Sequence, residues 1–260
     1  MNSPICLFDS GSGGLTVLKK LISSFPSEHF IYLADLANVP FGDKSKDSLK
    51  KSVDEIIEWL LKFNPKLVIM ACNTSSTLFF NDYKQTLKVP VFGMIESVAK
   101  EIASSTLSKV SVWATTNTVQ NHGYKYAIQE LNSKIEVEEV PCPKLVPLIE
   151  DLSTISEDKE KILTEYIKKT SNNAEALIWG CTHYPLIEED FKKLFAIKTI
   201  DPTDSLIKQL RDILPTKNTG STPNITLYTT AMKEKFQQFA KYHLCYSGQI
   251  KQISISKSLA

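Results

Sequence analysis

Short apolar runs, each of strand length, alternate with longer amphipathic stretches along most of the chain, and that alternation restricts the fold more than any other feature. It is the pattern of βα units around a mainly parallel sheet. The first half predicts strands near Ile5–Phe8, Ile31–Ala34, Leu67–Ala71 and Val91–Met94. Between them, Ser48–Phe63 is the clearest helical pattern: Leu49, Val53, Ile56, Ile57, Leu60 and Leu61 share one face, and Asn64-Pro65 marks the stop. The second half predicts strands near Val110–Trp113, Ile135–Val140, Ala176–Trp179 and Thr199–Ile200.

Taken in order, the strand ends pair Asp9 with Ala114, Asp35 with Glu139, Cys72 with Cys181 and Glu96 with Asp201, at offsets of 105, 104, 109 and 105 residues. Offsets this similar imply two copies of one unit. The expected fold is α/β: two pseudo-symmetric domains with mainly parallel sheets flanked by helices, and an active site in the cleft between them. The first unit is placed at residues 1–96 with the returning segment 206–260, and the second at 97–205. In the returning segment, Thr216–Asn224 reads as a linker, ahead of a strand at Ile225–Thr229, a helix at Met232–His243 and a strand near Gln252–Ile255.

Charge narrows the partners. The 30 Lys and Arg nearly cancel the 29 Asp and Glu, with no basic block, which argues against a nucleic-acid or anionic-membrane surface. Apolar runs such as Leu67–Cys72 fall far short of the roughly 20 residues that a membrane span needs. Met1-Asn2-Ser3-Pro4 lacks the basic start of a signal peptide, and five cysteines without a Cys-x-x-Cys pair fit a reduced, cytoplasmic chain. Of the 30 basic residues only Arg211 is Arg, so an anionic ligand is expected to be held mostly without planar bidentate contacts.

The strongest chemical signal is a duplicated cysteine. Leu67-Val68-Ile69-Met70-Ala71 runs into Cys72-Asn73-Thr74, and Ala176-Leu177-Ile178-Trp179-Gly180 runs into Cys181-Thr182-His183. Each thiol is thus expected at the carboxyl end of a buried strand beside a helix start, where α/β proteins place ligands and where a thiol is acidified. Cys6, Cys142 and Cys245 lack this context and read as packing residues. Two thiols facing one cleft suit racemisation by two bases, one removing a proton from a carbon stereocentre and the other returning one on the opposite face. His183 is placed to handle protons beside Cys181, and Asp9 ends the first strand in Asp9-Ser10-Gly11-Ser12-Gly13-Gly14. Those glycines miss the Gly-x-Gly-x-x-Gly register, which weakens a nucleotide-binding reading. Ser10, Asn73, Thr74, Thr118 and Thr182 lie in or beside strand-to-helix loops, where hydroxyls and N–H groups bind carboxylates.

These residues resemble the glutamate racemases of the cofactor-independent aspartate/glutamate racemase superfamily. The matching motifs are Phe8-Asp9-Ser10-Gly11-Ser12-Gly13-Gly14, Asp35 through Val39-Pro40-Phe41-Gly42, Ala71-Cys72-Asn73-Thr74 and Gly180-Cys181-Thr182-His183-Tyr184-Pro185, with a weaker echo at Cys142 through Glu150. The resemblance implies that Cys72 and Cys181 exchange the proton. It implies substrate contacts at Asp9, Ser10, Phe41, Gly42, Asn73, Thr74, Thr182 and His183, with Thr118 a further candidate. Asp9 and His183, and beyond them Asp35 and Glu150, would assist the thiols. It also implies L- and D-glutamate as substrates, D-glutamate supplied for peptidoglycan, neither pyridoxal phosphate nor metal, and a homodimer. The chain departs from the family pattern with Leu36 for Thr, Asn38 for Arg, Phe41 for Tyr and Asn117 for Gly.

Other readings carry distinct marks. A superfamily isomerase of aspartate or a hydantoin-like substrate would separate by its substrate, and a catalytically silent binding or regulatory relative would bind without exchanging the Cα proton. A Cys-His hydrolase would leave the second cysteine unexplained. A Cys72–Cys181 disulfide needs Cα atoms roughly 4.4–6.8 Å apart, which leaves no room for a substrate.

Overall fold

The computed structural model describes residues 3–151, 156–214 and 223–255. The predicted linker Thr216–Asn224 lies almost wholly outside the described residues. The first half builds β1 (Ile5–Asp9), α1 (Leu15–Ser24), β2 (His29–Ala34), α2 (Lys46–Leu61), β3 (Leu67–Met70), α3 (Asn73–Thr86), β4 (Val91–Gly93) and α4 (Met94–Ala103). The second builds β5 (Lys109–Ala114), α5 (Thr116–Gln120), α6 (Gly123–Leu131), β6 (Glu136–Pro141), α7 (Leu145–Glu150), α8 (Ser156–Ile167), β7 (Ala176–Gly180), α9 (Glu188–Leu194), β8 (Lys198–Ile200) and α10 (Pro202–Leu210). The chain then adds β9 (Asn224–Thr229), α11 (Lys233–Leu244) and β10 (Ile250–Gln252).

The strands form a six-stranded sheet, β10-β9-β2-β1-β3-β4, and a four-stranded sheet, β6-β5-β7-β8. All paired strands are parallel. The four-strand order of the second sheet reappears inside the first, with β5 in the place of β1 and β7 in the place of β3. Because the chain leaves β1 for one side and later crosses to the other, a crevice opens at the carboxyl ends of β1 and β3, and again at β5 and β7. Cys72 and Cys181 follow the equivalent strands β3 and β7.

Helices cover both faces of each sheet, so the inner strands are apolar throughout: every residue of β1, β3 and β7 is buried. Alternate residues supply opposite cores. Ile5, Leu7 and Ile69 meet α1, α10 and α11 through Leu18, Leu210 and Phe236, while Cys6, Phe8 and Met70 meet α2 and α3 through Val53, Ile57 and Phe79. In the second sheet Trp113 and Trp179 pack with Tyr166 and Phe191 on one face, and Val110, Val112 and Ile178 with Tyr124 and Ile128 on the other.

Two helices cross between the sheets. α4 follows β4 of the first sheet but buries Ile95, Val98, Ala99 and Ile102 against the second. α10 follows β8 of the second sheet but buries Leu206, Ile207 and Leu210 against the first. Ser205 Oγ and Lys208 Nζ both donate to Glu101, at 2.8 and 2.7 Å, tying the two helices together. At the C-terminus β9 pairs with β2 and β10 with β9. The last strand is Ile250–Gln252 rather than Gln252–Ile255, because Ile253 and Ile255 turn to pack beside the α2–α3 core. α11 starts one residue later than the pattern suggests, after Met232 in a left-handed conformation with φ 49°.

Candidate active site

The crevices of the two sheets open into one cavity of about 650 Å³, and both cysteines line it. Cys72 occupies the N-cap of α3, in extended backbone conformation, with its sulfur near the Ser75 N–H of the first turn. Its Sγ donates to Ser10 Oγ at 3.4 Å. Burial, reinforced by the charge of Asp9, pushes the Cys72 thiol up to about 11 against the opposing hydrogen bonds of Ser10 and Ser75.

Cys181 is differently built. The sequence pattern predicts a helix start beside it, but Tyr184–Ile187 forms only a 3-10 turn, with Pro185 in its first positions, and α9 begins at Glu188. A turn this short offers little dipole, and a side chain stands in its place: His183 Nδ1 lies 3.8 Å from Cys181 Sγ. His183 Nε2 lies 3.1 Å from Glu150 Oε1. The same oxygen accepts from Ser12 Oγ at 2.7 Å, and Glu150 Oε2 accepts from Lys235 Nζ at 3.0 Å. Burial opposes charge on the His183 ring, yet its hydrogen bonds and charge contacts with Cys181 and Glu150 prevail and lift it to about 10. Glu150 is held well below the ordinary carboxylate range: burial opposes this, but His183, Ser12 and Lys235 outweigh it.

A sequence profile of the Asp/Glu/Hydantoin racemase family matches residues 12–210, a span that contains both cysteines. The chain belongs to this family. A relative named glutamate racemase from Fusobacterium nucleatum is 38% identical over 216 residues, 82% of each chain. Another, from Prochlorococcus marinus strain NATL1A, is 36% identical over 261 residues, 97% of each chain. Among solved structures, glutamate racemase of Francisella tularensis in complex with D-glutamate superposes with a TM-score of 0.90 at 33% identity, over 98% of both chains. The RacE1 isoform from Bacillus anthracis gives 0.90 at 29% identity, over 97% of this chain and 98% of the other. Like other members of the racemase family, the chain is an isomerase.

The cavity collects Ser10, Phe41, Gly42, Asn73, Thr74, Glu150, Thr182 and His183 beside the thiols. Three expected site residues lie elsewhere. Asp9 is behind the wall, 1% exposed, accepting from Gly11 N at 2.8 Å and Thr182 Oγ1 at 3.2 Å, so it touches the cavity through its neighbours. Burial raises its carboxyl above the usual range although His183 and these hydrogen bonds pull it down. Thr118 is fully buried, its hydroxyl 3.0 Å from that of Thr115, and Thr74, Thr115 and Thr116 line the space in its stead. Asp35 is turned toward the added strand β9: it accepts from Thr230 Oγ1 at 2.9 Å and from Asn38 Nδ2, and lines a separate small pocket with Glu55.

Two family departures acquire a structural account. Asn38 engages both oxygens of Asp35 at 3.1 and 3.0 Å. Asn117 Nδ2 donates to Phe41 O at 3.2 Å and Lys44 O at 3.0 Å, fastening the second unit to the loop that carries Phe41 and Gly42. Sequence reasoning missed Lys235, Thr115, Tyr184 and Cys142 as lining residues. Cys142 packs as expected of a buried thiol but forms part of the wall, and Tyr184 donates to its carbonyl at 3.1 Å. Thr115 was legible as the N-cap of α5, one position past the end of β5, whereas nothing local marks Lys235. Among the described residues no group of three or more His, Cys, Asp or Glu is placed to hold a metal ion, and no helix is long and apolar enough to cross a membrane.

Proposed function

We propose that the chain interconverts L- and D-glutamate by two-base proton transfer between Cys72 and Cys181. The observation that carries this reading is the placement of both free thiols on one cavity, each after the equivalent strand of a duplicated sheet. The naming of relatives as glutamate racemases and the D-glutamate held by the Francisella tularensis protein supply the substrate. The two units, 1–96 with 206–260 and 97–205, act as the two walls.

In the forward step a thiolate takes the Cα proton: the C–H bond breaks, an S–H bond forms, and the electron pair moves toward the α-carboxylate. The opposite thiol then gives its proton to the other face of Cα and becomes the thiolate. The reverse direction exchanges the roles. At rest Cys72 holds its proton, while the charged His183 ring is placed to hold negative charge on the Cys181 sulfur. Backbone N–H groups and hydroxyls of the Ser10, Phe41-Gly42, Asn73-Thr74 and Thr182 loops bind the carboxylates, with preorganised donors at the developing charge. The reaction needs neither pyridoxal phosphate nor metal. The product serves peptidoglycan synthesis in the cytoplasm, and the enzyme works as a homodimer.

Metal-free protein incubated with L-glutamate in D2O, without pyridoxal phosphate, is expected to yield D-glutamate deuterated at Cα, read by chiral chromatography with mass detection. Absence of both product and exchange would sink glutamate as the substrate. Cys72→Ala and Cys181→Ala are each expected to abolish racemisation; near-normal turnover in either would refute the two-thiol step.

A further inference from the structure

One lining residue of the cavity comes from beyond the stretch that the family profile matches, which ends at residue 210. Lys235, in the first turn of α11, lines the cavity with its side chain 54% exposed, and its Nζ donates to Glu150 Oε2 at 3.0 Å. The other oxygen, Oε1, accepts from Ser12 Oγ and faces His183 Nε2. A carboxylate engaged at both oxygens is fixed about its last torsion. Its holders come from three places: the loop after β1, the turn after β7, and α11. Further along the same face of α11, Phe239 packs its ring 6.4 Å from that of His183.

We propose that Lys235 is a positioning residue for the Cys181 half of the reaction: it pins Glu150 so that Oε1 faces His183, and it shares the carboxylate's charge so that the charged ring stays available to the Cys181 sulfur. The inference rests on the reading of Cys181 as one of the two bases. Around His183 stand Cys181 and Glu150, with Asp9 and His243 within electrostatic reach. Lys235 is a further cation on that carboxylate, so its removal leaves Glu150 to His183 and Ser12 alone. The ring's charge is then spent more fully on Glu150 and less of it on the Cys181 sulfur, so transfer at Cys181 slows while transfer at Cys72 does not. A plain surface ion pair at the cleft mouth would add a little stability without favouring either half of the reaction.

The test compares wild type, Lys235→Met and Lys235→Arg. In Lys235→Met, turnover is expected to fall about two- to fivefold, the scale of a partly exposed ion pair, with Lys235→Arg recovering most of it. The Cα-deuterium isotope effect is expected to rise for the enantiomer deprotonated by Cys181 and to shrink for the other, an asymmetry that a general loss of packing would not produce. Side-chain NMR of His183 should show it titrating at higher pH in Lys235→Met. Unchanged isotope effects for both enantiomers together with an unchanged His183 titration would overturn the proposal. If wild type does not racemise glutamate, the functional reading fails, and the NMR titration still decides whether Lys235 acts on His183.

Discussion

His183 keeps its proton because its neighbours outweigh its burial, and that has a consequence for stability. A base whose folded pKa is raised from 6.5 to about 10 stabilises the fold fully below 6.5 and loses the contribution as pH rises toward 10. Cys72, an acid raised from 9.0 to about 11, lowers stability only once thiols of the unfolded chain ionise near 9. Glu96, a carboxyl that burial raises to about 7, adds its own fall up to that pH, so the interval from about 7 to 9 is the one that reports His183. Thermal melts of wild type are expected to fall across this interval, and those of His183→Gln to stay flat there; equal slopes would mean that the folded ring is neutral. At this scale Cys72, Cys181 and His183 were legible, because each stands in a local motif at a strand end. Lys235 was not: it is one of 29 lysines on an ordinary amphipathic stretch, and only packing brings it to Glu150.

The loop between β1 and α1 depends on what is missing from it. A Cβ added at Gly13 would overlap the His183 ring and Thr182 Oγ1, which come from the loop after β7. Gly13→Ala is therefore expected to push the two loops apart, cost about 1–3 kcal/mol of stability as overpacked sites do, and lower racemase activity more than Tm alone would explain. Wild-type activity in this variant would show that the loop can yield. Strands and most helices were readable from period and burial, since a strand buried on both faces is apolar whatever surrounds it. Cys181 shows where that reading stops. Pro185 and the 3-10 turn replaced the expected helix start, and a histidine ring rather than a helix N-terminus stands beside Cys181.

The whole molecule is coupled by its exchanged helices. With α4 in the core of the second sheet and α10 in that of the first, neither sheet keeps its own core if the other unfolds. Denaturant unfolding is accordingly expected to be a single transition. Trp113 and Trp179 report the second sheet and Trp59 the first, so Trp59→Phe fluorescence and far-UV circular dichroism should give coincident midpoints; separated transitions would show that the units fold independently.

The sequence by itself determined the duplicated α/β plan, the order of strands along the chain and the placement of a thiol after each third strand, because hydrophobic period and turn chemistry are properties of neighbouring residues. Only the tertiary structure decided that α4 and α10 trade sheets, that β9 draws Asp35 away from the cleft, and that Glu150 is held from three sides. Those outcomes depend on contacts between residues far apart in the chain, such as Asp35 with Thr230 or Glu150 with Lys235, and no local pattern encodes which distant side chain will arrive.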